Sequence, residues 1–177
     1  MQKLRQPTSL SCFGCGKDNP LGLKMEWFNN YKDKQVEAEF ELSDNYCSYP
    51  GTVHGGIVAT ILDETSGRAI LLNNDFARLM VTLKMEVVYK QNTPTNTKLK
   101  AIGRVLRDSG NRAQVEGDIL LPDGTVCASC KSILFKIPQA VQARFGAEAG
   151  EWNRTTPQVP EGCNCGPEGH VCGEKSK

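Results

Sequence analysis

The residues best suited to chemistry lie in one run, Pro50-Gly51-Thr52-Val53-His54-Gly55-Gly56-Ile57-Val58-Ala59-Thr60-Ile61-Leu62-Asp63-Glu64. Two consecutive glycines, Gly55 and Gly56, at a helix start leave backbone N–H groups without intrahelical acceptors and without side chains in front of them. The positive end of the helix dipole points the same way. Such a start can hold an oxyanion or the carbonyl oxygen of a thioester. The same glycines also suit a tight loop-to-helix turn, so spacing alone leaves both readings open. His54, the only histidine before the C-terminal tail, is either a hydrogen-bonded structural residue or a base. No Ser or Cys nucleophile is paired with it in a recognisable arrangement.

Asp63 and Glu64 follow on the same helix. Three and four residues to either side of Asp63 stand Ala59, Thr60, Ser66 and Gly67, small side chains that leave room for a ligand or another chain to reach the carboxylate. A merely solvated face would carry longer charged residues. Glu64, turned about 100° round the helix, is the competing carboxylate. Gly55 and Asp63 are eight residues apart, hence about 12 Å apart along the axis. An amide and a carboxylate each reach only about 3 Å in hydrogen bonding. They can meet at one reacting carbon only if they come from different subunits, so a catalytic reading requires a dimer.

A scaffold must position these groups, and 177 residues suffice for one domain with its own core. Alternating apolar and polar residues predict strands over Lys24–Phe28 and Gln35–Leu42, then over Leu79–Lys90, Thr97–Leu106, Arg112–Leu121 and Thr125–Lys136. Turn residues separate them, the clearest being Pro122-Asp123-Gly124. Between the two groups, Val58, Ile61, Leu62, Ala69 and Leu72 recur at helical spacing and predict one helix over His54–Leu72. Antiparallel strands beside a single helix describe an α+β fold. One helix covers one face of a curved sheet, so the remaining face and edges call for a homo-oligomer. On the strand after the helix, strict alternation puts Val81, Leu83, Met85, Val87 and Tyr89 on one face and Thr82, Lys84, Glu86, Val88 and Lys90 on the other. Thr82 then falls on the more polar side.

Composition removes other classes of function. With 21 Lys+Arg against 20 Asp+Glu, the chain lacks the basic excess of a general nucleic-acid binder. No apolar run approaches the ~20 residues of a membrane span, and Met1–Leu10 has no apolar signal-peptide stretch. No membrane association and a cytoplasmic location are therefore expected. The chain divides into a polar lead-in over 1–19, a structured body over 20–137, and a C-terminal part over 138–177. That last part holds a short helix over Gln139–Ala149 and a Cys-rich, loop-like tail.

His54-Gly55-Gly56, followed by Asp63 and Gly67, resembles the PaaI-like branch of the hotdog-fold acyl-CoA thioesterases. The strand Val81-Thr82-Leu83-Lys84-Met85-Glu86-Val87-Val88-Tyr89 and the opening Cys12-Phe13-Gly14-Cys15-Gly16…Asn19-Pro20-Leu21-Gly22-Leu23 also fit, so the likeness runs from Cys12 to Ile137. It implies a hotdog fold, with a curved antiparallel sheet of five or six strands wrapped round one long central helix, in dimers or tetramers. It implies hydrolysis of acyl-CoA thioesters with no cofactor, in a site formed across a dimer interface. By position, the Gly55 N–H polarises the thioester carbonyl, with Gly56 beside it in the substrate-binding loop. Asp63 of the facing subunit serves as nucleophile or as general base on water. Thr82 helps to place that water or carboxylate, and His54 is structural or sets the oxyanion loop. Where some members carry an Asn six residues before the His, this chain has Ser48, so carbonyl binding is expected to rest on Gly55 and the helix dipole. The alternative function is a non-catalytic acyl-CoA or acyl-group sensor on the same fold. Phe76, Met80 and Met85 are candidates to line an acyl tunnel, and Arg104, Arg107 and Arg112 to meet CoA phosphates.

Eight cysteines remain. In a cytoplasmic chain they read as thiols or metal ligands before disulfides. Cys127 and Cys130 stand three apart on a strand and read as buried thiols. Cys12-x-x-Cys15 and Cys163-x-Cys165…His170-x-Cys172 carry zinc-type ligands at both ends of the chain. Cys12, Cys15, Cys163 and Cys165 are the candidates for a metal, although no metal is expected.

Overall fold

The computed structural model describes residues 3–75, 78–138 and 141. Two short strands, β1 (Leu4–Arg5) and β2 (Phe28–Asn30), precede β3 (Gln35–Phe40). A small hairpin, β4 (Cys47–Tyr49) and β5 (Thr52–Val53), leads into the helix α1 (Gly55–Arg68). Four long strands follow: β6 (Met80–Tyr89), β7 (Leu99–Asp108), β8 (Arg112–Leu120) and β9 (Val126–Lys136). The main sheet has seven strands in the order β1-β2-β3-β7-β8-β9-β6, and every neighbouring pair is antiparallel. This is the α+β arrangement expected, with the two-residue β1 added at one edge.

The chain departs from the expected elements in instructive places. The first expected strand, Lys24–Phe28, is realised only from Phe28. Lys24 has φ +56°, outside the extended region, and Met25 and Trp27 turn into the core from irregular backbone. The expected helix His54–Leu72 is α-helical only to Arg68 and then tightens into a 3₁₀ turn over Ala69–Asn73. The tighter winding buries Ile70 and Leu71 and leaves Leu72 half-exposed. Asn74, at φ +66°, ends the turn. Gln139–Ala149 lies outside the described residues except for Val141, and the Cys-rich tail lies wholly outside them.

Helix α1 lies across β7, β8 and β9. Val58, Ile61 and Leu62 face Val36, Ala101, Val115, Ile119 and Leu134 in one buried cluster. Beneath the helix, Gly103 pairs with Gly117, which pairs with Cys130, in a row of small residues across the three strands. A Cβ on Gly103 would stand 2.4 Å from the carbonyl oxygen of Thr65. Only glycine lets the helix backbone sit this low.

The N-terminal segment is fastened to the last turn of α1. The Trp27 indole donates to Thr65 Oγ1 at 3.0 Å, and the Arg68 guanidinium lies 4.3 Å over the Trp27 ring. Arg68 also donates to the Pro7 carbonyl at 2.9 Å, and the Gln6 amide returns a bond to the Arg68 carbonyl at 3.1 Å. The polar lead-in thus folds onto the helix. On β3, Glu37 is buried and bonded to Lys3 at 2.6 Å and to Lys100 at 3.1 Å, with Gln35 and Asn30 donating as well. Burial alone would raise the Glu37 carboxyl, but these four donors outweigh it and hold it down to about 2.

Two outcomes follow from these contacts. Gly103→Ala should lose more than about 2 kcal/mol in denaturant unfolding, because the Thr65 backbone and the Val36 side chain must both give way. The Glu37 carboxylate stabilises the fold fully above its ordinary value of 4.5, and that contribution disappears as pH falls toward about 2. Linkage puts its ceiling at ~3 kcal/mol, reduced by solvent at the half-exposed lysines. Acid unfolding of wild type beside Glu37→Gln should show this slope in the first and its absence in the second.

Candidate functional site

The loop before α1 is fixed by its own backbone. His54 N–H donates to the Tyr46 carbonyl at 2.8 Å, and His54 is the N-cap of the helix, its Nδ1 accepting from Gly56 N–H at 2.9 Å. The two glycine amides are therefore not equivalent, contrary to the expectation of a pair of open donors. Gly56 is engaged by the cap, whereas the Gly55 N–H meets no acceptor among the described residues. The Gly55 carbonyl accepts from the Tyr89 hydroxyl at 2.8 Å, which ties the helix start to the far end of β6. Ser48 sits on β4 with its side chain exposed.

Two turns further along, Asp63 Oδ1 accepts a 2.7 Å hydrogen bond from the Thr82 hydroxyl. Strict alternation placed Thr82 on the face opposite Met85 and Tyr89, and the structure corrects this. The register of β6 against β9 shifts between Thr82 and Lys84, a bulge that absorbs one residue and reverses the parity beyond it. Thr82 pairs with Leu134, Met85 with Ser132 and Val87 with Cys130, and all three partners are buried. Thr82 therefore shares the helix-facing side with Met85, Val87 and Tyr89.

The two neighbouring carboxylates face different surroundings. Asp63 faces Thr82, while Glu64 turns to Arg68, with Nε at 3.4 Å from its Oε2, and to Cys12, whose Sγ lies 3.8 Å from its Oε1. The Cys15 thiol hydrogen-bonds the Cys12 sulfur; this pulls Cys12 down to about 6 despite burial and the nearby Glu64 charge, and pushes Cys15 up. A cavity of about 440 Å³ joins these groups, with Asp63, Thr82, Gly67 and Met80 on its wall beside Cys12 and Glu64. Met80 lines this cavity, Met80 and Met85 both pack against the core, and Phe76 is outside the described residues. Arg104 is committed to Glu116, Asp118 and Gln35. Arg107 and Arg112 come together with Ser109 and Gln114 round a separate cavity of about 270 Å³ at the β7–β8 turn. Cys127 and Cys130 are both buried free thiols. Sequence reasoning missed the approach of Glu64 to Cys12 and Cys15, for which no local pattern gives a signal.

The segment 50–128, from the loop before α1 into β9, matches the model of the thioesterase superfamily. This is a hotdog fold. The hotdog chain is 28% identical to a thioesterase-superfamily protein of known crystal structure, with a TM-score of 0.64 over 72% of this chain and 60% of that one. A Streptococcus mutans protein crystallised with acetyl-CoA shares the fold at 23% identity and a TM-score of 0.52, over 59% of this chain and 82% of that one. Acyl-coenzyme A thioesterase THEM4 of Mus musculus is 26% identical over 131 residues, 70% of this chain. The chain spans about half the length of that relative, 55%. Among the described residues no helix is long and apolar enough to cross a membrane.

Gly67 offers a simple test of the cavity wall. A Cβ there would meet nothing within 4 Å, so Gly67→Ala should gain about 0.5–1 kcal/mol of helix stability. Thermal melts of the free protein should show the rise.

Proposed function

We propose that this protein hydrolyses acyl-CoA thioesters to a free acid and CoA, as a PaaI-like hotdog thioesterase whose site is assembled across a dimer. The observation that carries the reading is the Asp63–Thr82 pair, 2.7 Å apart on a cavity wall. It stands about 12 Å along the helix from the open Gly55 amide. One chain holds the carbonyl donor at one end of the helix and the carboxylate near the other, so two chains must exchange them. β6 is a terminal strand of the sheet, and its Val81, Leu83, Val88 and Tyr89 are exposed. That is the edge at which a second copy would extend the sheet and bring the helices face to face.

In this reading the thioester carbonyl oxygen accepts from the Gly55 N–H and sits at the positive end of α1. Asp63 of the other chain takes the proton of an attacking water, or attacks the carbonyl itself to give an acyl intermediate that water then opens. Either way the C–S bond breaks, the thiolate of CoA leaves, and a proton returns to it. The Thr82 hydroxyl donates to one Asp63 oxygen and leaves the other for the reacting atom. His54 holds the loop through its cap. The acyl-CoA substrate class is supported by the acetyl-CoA bound in the Streptococcus mutans neighbour and by the THEM4 relative.

Release of CoA thiol should be followed over a panel of acyl-CoAs. Asp63→Asn should lose ~10²-fold or more in kcat, and Thr82→Val on the order of tenfold. Gly55→Pro removes the amide donor at a helix position that tolerates proline and should be nearly inactive alone. Mixing Asp63→Asn with Gly55→Pro chains under subunit exchange should recover roughly a quarter of wild-type activity, because half of the dimers then hold one intact site. Full activity in Asp63→Asn would overturn the reading. Acyl-CoA binding without any turnover in wild type would assign the chain to the non-catalytic sensors.

A further inference from the structure

The segment before the sheet forms a tight knuckle whose two cysteines face a helix carboxylate. Cys12 Sγ, Cys15 Sγ and one Glu64 carboxylate oxygen all lie within 4.8 Å of one another. The Cys12 Sγ to Glu64 Oε1 distance is 3.8 Å, close to the ~3.5 Å that a sulfur and an oxygen ligand span across a tetrahedral zinc. Both sulfurs are free thiols. Each accepts a backbone N–H, from Gly14 to Cys12 Sγ at 3.3 Å and from Ser9 to Cys15 Sγ at 3.3 Å. Gly16 N–H closes the loop on the Cys12 carbonyl at 2.8 Å. A Cβ on Gly16 would stand 2.3 Å from that same oxygen and 2.6 Å from the Leu10 carbonyl, so the Cys-x-x-Cys-Gly turn has this shape only with glycine there.

We propose that Cys12, Cys15 and Glu64 form a zinc site that clamps the N-terminal knuckle to helix α1 beside Asp63. The spacing Cys-x-x-Cys is that of half a structural zinc site, and the carboxylate comes from the helix instead of a second knuckle. Amide bonds to the sulfurs orient them and stabilise thiolates, as outer-shell donors do in metal sites. The other Glu64 oxygen is held by Arg68, so the ligand oxygen is aimed at the sulfurs and the guanidinium supplies one positive charge behind it. Two thiolates and a carboxylate this close would repel one another, and a divalent cation together with Arg68 neutralises them. The fourth position opens on the cavity that Asp63 and Thr82 also line, where water can complete the tetrahedron. On binding, the thiol protons leave to solvent as the two Zn–S bonds form. The site stands independently of the thioesterase reading, since its ligands are not the groups assigned to the reaction.

Metal content of the whole 177-residue chain, purified under reducing conditions and without chelator, is the test. About one zinc per chain is expected in wild type, with zinc lost in Cys12→Ser and Cys15→Ser and bound at least tenfold more weakly in Glu64→Gln. The triple variant Cys163→Ser, Cys165→Ser, Cys172→Ser should keep its zinc. Cobalt replacement in wild type should give a near-ultraviolet thiolate-to-metal band of two-sulfur intensity, which needs no variant to fold. Dipicolinate should lower the melting temperature of wild type by several degrees and leave that of Cys12→Ser unmoved. Loss of zinc in the tail variant would assign the metal to the tail and overturn the proposal. So would unchanged zinc affinity in Glu64→Gln, or a reduced wild type that takes up neither zinc nor cobalt.

Discussion

The closeness of helix α1 to the sheet sets the position of everything else. The Thr65 carbonyl occupies the place where a Cβ at position 103 would be, and Ser66 packs against Gly117 one strand further on. At this separation the helix can neither slide nor roll without driving its backbone into β7. The polar groups carried into the interface are paired there: Thr65 with the Trp27 indole, and Ser66 with Ser132 at 3.3 Å. A buried hydroxyl left without a partner would cost more than such a bond contributes. These pairings therefore fix the rotation of the helix as well as its depth.

That fixed rotation gives two adjacent carboxylates different surroundings. A step of one residue turns the helix by about 100°. With Thr65 and Ser66 locked downward, Asp63 is carried toward β6 and Glu64 toward the N-terminal knuckle. Asp63 meets one neutral hydroxyl, which engages one carboxylate oxygen and leaves the other to spare. Glu64 meets a guanidinium and a thiol, which consume both of its oxygens. The chemistry of the pair is decided by helical geometry, not by any difference between Asp and Glu.

The sequence carries part of this plainly. The period of Val58, Ile61 and Leu62 marks the buried stripe of α1, and Pro122-Asp123-Gly124 marks a hairpin whose Gly124 has φ +86°. Both are local, so neighbouring residues suffice to reveal them. Thr82 is different, because β6 carries apolar side chains on both faces, Val81 and Leu83 outward and Met85 and Val87 inward. Alternation there has no contrast from which to read parity, and a one-residue bulge reverses it unannounced. The approach of Glu64 to Cys12 and Cys15 joins positions about fifty residues apart through the tertiary fold, and no spacing rule reaches that far. The Trp27–Arg68 contact is hidden for the same reason: Trp27 turns inward from irregular chain, not from a strand with a period.

The separation of donor and carboxylate along α1 also bears on why such a fold would act as a dimer. A helix dipole favours negative charge only within its first turn, so in the proposed reaction the oxyanion sits beside Gly55. Asp63 stands two turns away on the same helix, so in the proposed dimer an antiparallel partner helix would bring the carboxylate to the carbonyl held at the helix start. The Tyr89 bond to the Gly55 carbonyl and the Thr82 bond to Asp63 both come from β6, the strand that would form the dimer edge. One strand therefore holds both ends of the helix relative to that edge. Association through β6 would set the spacing of donor and carboxylate in both sites at once.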